Sequence, residues 1–294
     1  MRLSTFLAVV PLMLVACSGS APSSPSQEVD TGSGIATMVG AGDIAVCGGS
    51  GAKATSEILD GIEGTIFTAG DNVQDVGSSR EFQECYDPAW GRHLNRTRPI
   101  PGNHDLGTDG GAPYYAYFGD RAGPAGLGYY SYDLGTWHVV ALNSSLPTTS
   151  GTPQAQWLRA DLSANRRSCV LAYFHYPLYS SGKFAVPSMR DLWRTLYEFR
   201  VDVVINGHDH VYERFAPQDP DGRLDMGRGI RQFTVGTGGY GLFPLVSILP
   251  NSEVFQNQAL GVLLLTLEPN AYSWRFLAVR GQSFTDVGSD RCVQ

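Results

Sequence analysis

From residue 36 onward, short apolar runs alternate with segments whose apolar residues recur at helical spacing. "ATMVGAGD" reads as a strand, "KATSEILDGI" as a helix and "GTIFTAGD" as the next strand. "SSREFQECYDPAWGR" reads as helical, and "TRPIPGNHD" as a short strand running into a turn. In "YYSYDLGTWHVVALNSS", alternating aromatics, a turn at Leu134-Gly135-Thr136 and a buried run predict a hairpin. "TPQAQWLRADLSAN" predicts a helix with Thr152 as N-cap and Pro153 at its first position. "CVLAYFHYP" then reads as a strand, "SMRDLWRTLYEFR" as a helix and "VDVVINGHDH" as a strand. The last third, "IRQFTVGTGG" and "GVLLLTLEPNAYSWRFLAV", reads as strands separated by turns. Helix-strand alternation early and strand pairs later predict a mixed α/β sandwich rather than a purely parallel sheet. No internal repeat or linker interrupts residues 36–294, so a single domain over 35–294 is expected.

The first 34 residues follow different rules. Residues 1–17, "MRLSTFLAVVPLMLVAC", carry a positive charge at Arg2, an apolar stretch and small residues before Cys17. The apolar stretch is shorter than the ~20 residues a spanning helix needs. "LVAC" resembles the lipobox of bacterial lipoprotein signal peptides, which implies cleavage before Cys17 and acylation of that cysteine. The alternative is an ordinary secretory signal cut a little later. Residues 18–34, "SGSAPSSPSQEVDTGSG", read as a flexible tether. The expected location is extracytoplasmic, lipid-anchored to a bacterial membrane or, alternatively, secreted.

Composition narrows the partners. A chain of 294 residues with 43% hydrophobic and 17% charged residues can bury a sizeable core. The formal charge is −7, and loss of Arg2 from the 21 basic residues leaves 20 against 28 acidic, or −8. That balance argues against nucleic acid, and it requires any anionic substrate to meet positive charge that side chains do not supply. Beyond Cys17, four cysteines remain, Cys47, Cys85, Cys169 and Cys292. An even count in an exported protein suggests two disulfides with three connectivities open. Cys47–Cys85, both in loops after early strands, and Cys169–Cys292, pinning the C-terminus, are favoured. None has CxxC spacing, which speaks against a thiolate zinc site or a redox pair.

The polar residues that interrupt the apolar pattern fall in one kind of place. Strand after strand delivers a metal-capable side chain just past its C-terminal end: Asp43, Asp71, Asn103 with His104 and Asp105, His175, then His208 and His210. Loops converge beyond the carboxyl ends of strands in open α/β sheets, and ligands collect there. Each piece alone has a plain structural reading, as an Asp turn, an Asx turn, a surface turn or a core histidine. The ordered series outweighs them. It uses four of the six histidines; His93 and His138 stand outside, and His138, in a hairpin strand, reads as structural.

In chain order, "AGDIA", "AGDN", "PGNHD", "YFHYPLYSSG" and "GHDHVYERF" resemble the motif series of the calcineurin-like metallophosphoesterases. "GHDHVYER", "HYPLYSSG" and the later "VGTGG" resemble its purple acid phosphatase-like branch, the likeness running from residue 36 to about residue 280. The resemblance implies a two-sheet α/β/β/α sandwich with a dinuclear metal centre at the strand ends. It implies Asp71 as the bridge, Asp43 and His210 on the first metal, and Asn103, His175 and His208 on the second. Imidazole with carboxylate and amide oxygen suits iron, zinc or manganese, divalent or trivalent. Metals ~3.5–4 Å apart share an acidified hydroxide and clamp a phosphoryl oxygen. Two divalent cations against two aspartates make the centre locally positive, which answers the charge problem. His104 is the candidate general acid, with Asp105 orienting its ring; alternatively His104 only hydrogen-bonds the phosphate.

Two positions depart from the family pattern. Purple acid phosphatases have a tyrosine ligand three residues after the bridging aspartate, where this chain has Gln74. Other calcineurin-like enzymes have a histidine two residues after the first aspartate, where this chain has Ala45. The first metal keeps Asp43, Asp71 and His210, with water or the Gln74 amide, so a colourless protein with more exchangeable metal is expected. "GTGGYG" (236–241) follows a strand but is succeeded by prolines rather than a helix, and reads as a rim loop beside the metals. Arg214 is a candidate substrate contact or a structural ion pair, and Tyr114, Tyr115 and Tyr117 either shape the pocket or pack the core. The sequons at 95–97 and 143–145 carry little weight in a bacterial chain.

The function expected is hydrolysis of small phosphoesters, acid phosphatase-like and of broad specificity for monoesters. A phosphodiesterase on the same centre and a catalytically weak lipoprotein binding a phosphorylated ligand are the alternatives.

Overall fold

The computed structural model describes residues 34–293, so Cys17 and the residues before Gly34 lie outside the described part. Among the described residues, thirteen strands form two sheets. The first contains β1 (Ala36–Ala41), β2 (Thr65–Ala69) and β3 (Thr97–Ile100), together with β11 (Gly261–Glu268), β12 (Ala271–Ala278) and β13 (Val287–Arg291). Its order is β13-β12-β11-β1-β2-β3, with β1, β2 and β3 parallel and the others antiparallel.

The second sheet contains β4 (Tyr130–Leu134), β5 (Trp137–Ala141), β6 (Cys169–Tyr173) and β7 (Val203–Asn206). It is completed by β8 (Tyr212–Phe215), β9 (Arg231–Val235) and β10 (Ser252–Gln256), in the order β10-β8-β9-β7-β6-β5-β4. Strands β5, β6, β7 and β9 run parallel at its centre. The helices are α1 (Gly51–Leu59), the short α2 (Ser79–Glu81), α3 (Ala112–Phe118), α4 (Pro153–Ala164) and α5 (Arg190–Glu198). This is the expected α/β sandwich of two mixed sheets with helices.

The inner faces of the sheets interlock through aromatic rings. Phe67 of β2 meets Tyr173 of β6 at 6.2 Å, Trp137 of β5 meets Tyr272 of β12 at 5.6 Å, and Tyr212 of β8 meets Phe276 of β12 at 4.6 Å. All six rings are buried, each burial contributing about 2–3 kcal/mol. Strands β2, β5, β6, β7 and β9 are buried along their whole length; β6 reads as a continuous apolar run for that reason, whereas β9 also buries Arg231, Gln232 and Thr234.

The segment 78–92 is not one helix. Ser78 and Glu81 close a capping box that starts α2, but the chain then makes one π-helical turn over Phe82–Tyr86 and a 3-10 turn over Gly91–Arg96. Cys85 is bonded to Cys47 and Pro88 has no N–H to give, so a regular helix cannot continue. The second disulfide joins Cys169 of β6 to Cys292. Thr152 holds the N-cap position of α4, yet its hydroxyl donates to the Pro147 and Thr149 carbonyls rather than capping the helix.

Strands β8, β10 and β13 and helix α3 were not legible in the sequence. Strand β13, at a sheet edge, buries none of its residues and so has no apolar face to read. Tyr114 is buried, and Tyr117 stacks on Phe82 at 5.4 Å and donates to Asp87, so these tyrosines pack the core beneath α3.

Candidate metal centre

Both sheets aim the carboxyl ends of their parallel strands at one place. Asp43, Asp71, His175 and His208 each stand two residues past the end of β1, β2, β6 and β7, and Asn103 stands three past β3. The loops are stitched where they leave the strands. Asp43 N–H donates to the Gly70 carbonyl, Ile44 N–H to that of Asp71 and Ala45 N–H to that of Asn72. Gly42 N–H crosses to the Val235 carbonyl of the other sheet.

The backbone is bent to bring these groups together. Asp43, Asp71 and His208 have φ of 61°, 48° and 67°, a region that costs a non-glycine residue of order 1–3 kcal/mol. Gly70 is forced by both criteria: its φ is 82°, and a Cβ there would lie 2.6 Å from His175 Nδ1.

The side chains converge as pairs. His175 Nε2 lies 3.1 Å from Asp71 Oδ2 and 3.2 Å from Asn103 Oδ1, while His210 Nε2 lies 3.1 Å from Asp43 Oδ1. Ligand atoms of Asp71, His175 and His208 all fall within 4.8 Å of one another. The structure thus gathers all six residues in one cluster, with Asn103 and His208 half-buried and the other four buried.

The far sides of the rings decide what the near sides offer. His175 Nδ1 lies 2.8 Å from the Ala69 carbonyl oxygen, and His210 Nδ1 lies 2.8 Å from that of Gly241. A carbonyl only accepts, so Nδ1 carries the proton in both rings and a neutral ring presents a bare Nε2 lone pair. A bare Nε2 facing a carboxylate oxygen at 3.1 Å is an acceptor facing an acceptor. Asp43 Oδ1 is buried with no hydrogen bond. Both observations call for positive charge between these atoms.

The titration tendencies agree. Burial opposes charge on His175, but Asp71 outweighs it and pushes the ring up to about 9. Burial likewise opposes charge on His210, and Asp43 overrides it upward. His208 is driven down to about 4 by burial and by neighbouring His175, which keeps it neutral. A proton on His175 or His210 answers the same electrostatic demand that a cation would answer. Carboxylate, amide oxygen and imidazole, with no thiolate, fit iron, zinc or manganese.

His104 stands at the open side, with 39% of its side chain exposed. Its backbone N–H donates to Asp71 Oδ1 at 2.8 Å, and its Nε2 lies 3.9 Å from Asp71 Oδ2. The expected partner of its ring was Asp105, and here the geometry differs. His104 Nδ1 faces the Asp75 carbonyl oxygen at 2.8 Å. The Asp105 carboxylate is fully buried and accepts from Asn72 N–H, the Asn72 amide, Gly102 N–H and Val73 N–H. Burial and the nearby Asp71 charge push it up to about 7 in spite of those donors. Asp105 therefore clamps the loop after β2 to the loop after β3. Asn72 had no assigned role in the sequence; being next to Asp71 in "AGDN" was its only signal.

Three further features are placed by their contacts. Gln74 is buried, but its Nε2 donates to the Asp71 backbone carbonyl at 3.2 Å, which turns that end of the amide toward the chain. Arg214 is held by Asp286 at 2.8 Å and by Glu253, with its guanidinium 4.9 Å over the Trp274 ring. These contacts are those of an ion pair within the fold, made by acids that flank β8. The loop 236–241 lies at the rim: Tyr240 N–H donates to the Asp43 carbonyl, and the Tyr240 ring lies 5.0 Å from His210.

This fold and this strand-end cluster define a metallophosphoesterase, and the family comparison agrees. Residues 38–212 match the calcineurin-like phosphoesterase family, so the chain belongs to that family. It is 33% identical over 156 residues to purple acid phosphatase 23 of Arabidopsis thaliana, a match covering 45% of this chain and 34% of that protein. Purple acid phosphatase 21 of the same plant is 37% identical over 123 residues, covering 38% and 26%. The match thus spans about a third or less of those relatives. In structure, a purple acid phosphatase from yellow lupin seeds superposes with a TM-score of 0.75 at 20% identity, covering 87% of this chain and 53% of that one. GAP50, the anchor in the inner membrane complex of Plasmodium, superposes at 0.64 with 14% identity, covering 88% and 89%.

Proposed function

We propose that the chain is a hydrolase of small phosphomonoesters, and that Asp43, Asp71, Asn103, His175, His208 and His210 would hold its two metal ions. The observation that carries the reading is the packing of His175 and His210 Nε2 against Asp71 and Asp43, which calls for positive charge between them that two bound cations would supply. When bound, the cations supply Lewis acidity toward a phosphoryl oxygen and a nucleophilic oxygen at neutral pH.

The protein's own residues do the rest. The backbone carbonyls of Ala69 and Gly241 hold the histidine rings with Nε2 facing inward. The Asp105 clamp keeps Asp71 and Asn103 in register. His104 donates a proton from Nε2 to the leaving alkoxide, while the Asp75 carbonyl keeps the other ring nitrogen protonated. The fold alone does not imply this chemistry, since GAP50 shares it as an anchor; the six converging donors support it here.

We further place the protein outside the cytoplasm, held by a lipid on Cys17. Two disulfides support the compartment. No helix among the described residues is long and apolar enough to cross a membrane.

The test is hydrolysis of p-nitrophenyl phosphate and bis-p-nitrophenyl phosphate after chelation and metal return. Metal-restored turnover of the monoester supports the reading. Preference for the diester would make the enzyme a phosphodiesterase, and phospho-ligand binding without turnover would leave only a binding protein.

A further inference from the structure

Beside the metal centre lies a cleft of about 460 Å³, within the range of small-ligand sites. Tyr176 is the wall between the two. Its ring lies 4.6 Å from that of His208 and 5.3 Å from that of His175, and it also lines the cleft. The rest of the lining is rich in hydroxyls, from Ser144, Ser145, Thr148, Thr149 and Ser188, with Leu146 and Met189 adding apolar surface. No Asp, Glu, Lys or Arg lines it.

The cleft is built rather than left over. Asn143 and Gln154 exchange two hydrogen bonds of 2.9 Å between backbone and side-chain amide, and Asn143 Oδ1 accepts from Ser145 N–H. Tyr176 N–H donates to Ser144 Oγ at 3.0 Å, which ties this loop to the residue next to His175. The cleft is therefore fixed in position relative to the candidate metal ligands.

We propose that this cleft seats the alcohol half of the phosphoester, and that it selects uncharged, hydroxyl-bearing groups of about the size of a hexose. Ser144 and Thr148 are buried and spend hydroxyl contacts on Tyr176 N–H and the Ser188 carbonyl. The exposed Thr149 and Ser188 hydroxyls both donate and accept and so can meet the hydroxyls of a sugar. The half-buried Tyr176 ring and Leu146 offer apolar contact to its C–H faces. A second phosphate on the alcohol would be desolvated there without a cation to meet it, and would be rejected. The proposal rests on the phosphoester reading above and deepens it.

The test compares kcat/KM for glucose 6-phosphate, ethyl phosphate and fructose 1,6-bisphosphate in the metal-loaded protein. Glucose 6-phosphate should exceed each of the others by about tenfold, one good polar contact's worth. Thr149, exposed at the mouth, contributes its carbonyl to the turn that starts α4, so Thr149→Trp obstructs the cleft and spares that bond. It should cut the ratio of glucose 6-phosphate to ethyl phosphate about tenfold, and Ser145→Val should cut it in the same direction. Saturation-transfer NMR with free glucose on chelated protein should show binding that Thr149→Trp removes. An unchanged ratio in both variants, or glucose 6-phosphate no better than ethyl phosphate, overturns the proposal. If no phosphoester is turned over the hydrolase reading falls, and the NMR result then decides this cleft by itself.

Discussion

His104 and Asp75 are joined by a bond from an imidazole nitrogen to a backbone carbonyl, Nδ1 to O at 2.8 Å. The ring proposed to carry the proton is therefore oriented by main chain. A carbonyl fixes the tautomer as a carboxylate would, but it adds no full negative charge beside the ring.

For catalysis, His104→Asn should reduce kcat/KM by about 10²–10⁴ for alkyl phosphates, whose leaving groups need a proton, and far less for p-nitrophenyl phosphate. Steady-state kinetics on both substrates check this. Equal losses would leave His104 as a phosphate contact only.

Asp105 makes a different prediction from the one its place beside His104 suggests. Asp105→Asn turns an acceptor of four N–H groups into a side chain that itself donates, setting donor against donor in a buried site. The cost should be about 1–3 kcal/mol of stability, with reduced metal content. Urea denaturation and metal analysis report it. The leaving-group dependence of the reaction should persist in the variant, because the ring partner of His104 is untouched; its loss would restore Asp105 as the orienting group.

Gln74 bears on the spectrum. With glutamine rather than tyrosine at this position, the iron-loaded protein should show no intense visible band. Gln74→Tyr should introduce one, if the side chain can turn from the Asp71 carbonyl toward the centre. An absorption spectrum of each protein decides it. A purple wild-type protein would mean that another tyrosine reaches the iron.

His138 gives a pH signature remote from the centre. It sits between Asp133, 3.0 Å from Nδ1, and Asp161, 2.8 Å from Nε2, with Arg167 also on Asp133. Burial lowers its proton affinity, but the two carboxylates outweigh this and raise it above the usual histidine value. A raised folded value means the stabilisation is complete below about pH 6.5 and is lost as pH climbs through the folded value. His138→Gln should cost about 1–2 kcal/mol at pH 6 and less at pH 9. Denaturation at the two pH values measures the difference, and an equal cost at both would remove the ion-pair role.

The sequence by itself determined the series of metal-capable residues and the buried strands that deliver them. Both are local features. A parallel strand covered on both faces is apolar except where a buried polar side chain finds a partner, as Arg231 of β9 does in Glu253 and Asp290. The residue two past its end is where a polar side chain can emerge. What the tertiary structure decided were partnerships across long stretches of chain. Asp75 reaches His104 over 29 residues, Asn72 reaches Asp105 over 33, and Asp286 captures Arg214 over 72. Neighbours in sequence point different ways, so Asp105, although adjacent to His104, serves the loop of Asn72 instead. Edge strands such as β13, with no buried face, became strands only because β12 offered them a free row of hydrogen bonds. The cleft beside Tyr176 was equally invisible, because the loops after β5 and β6 form it only once the second sheet has closed.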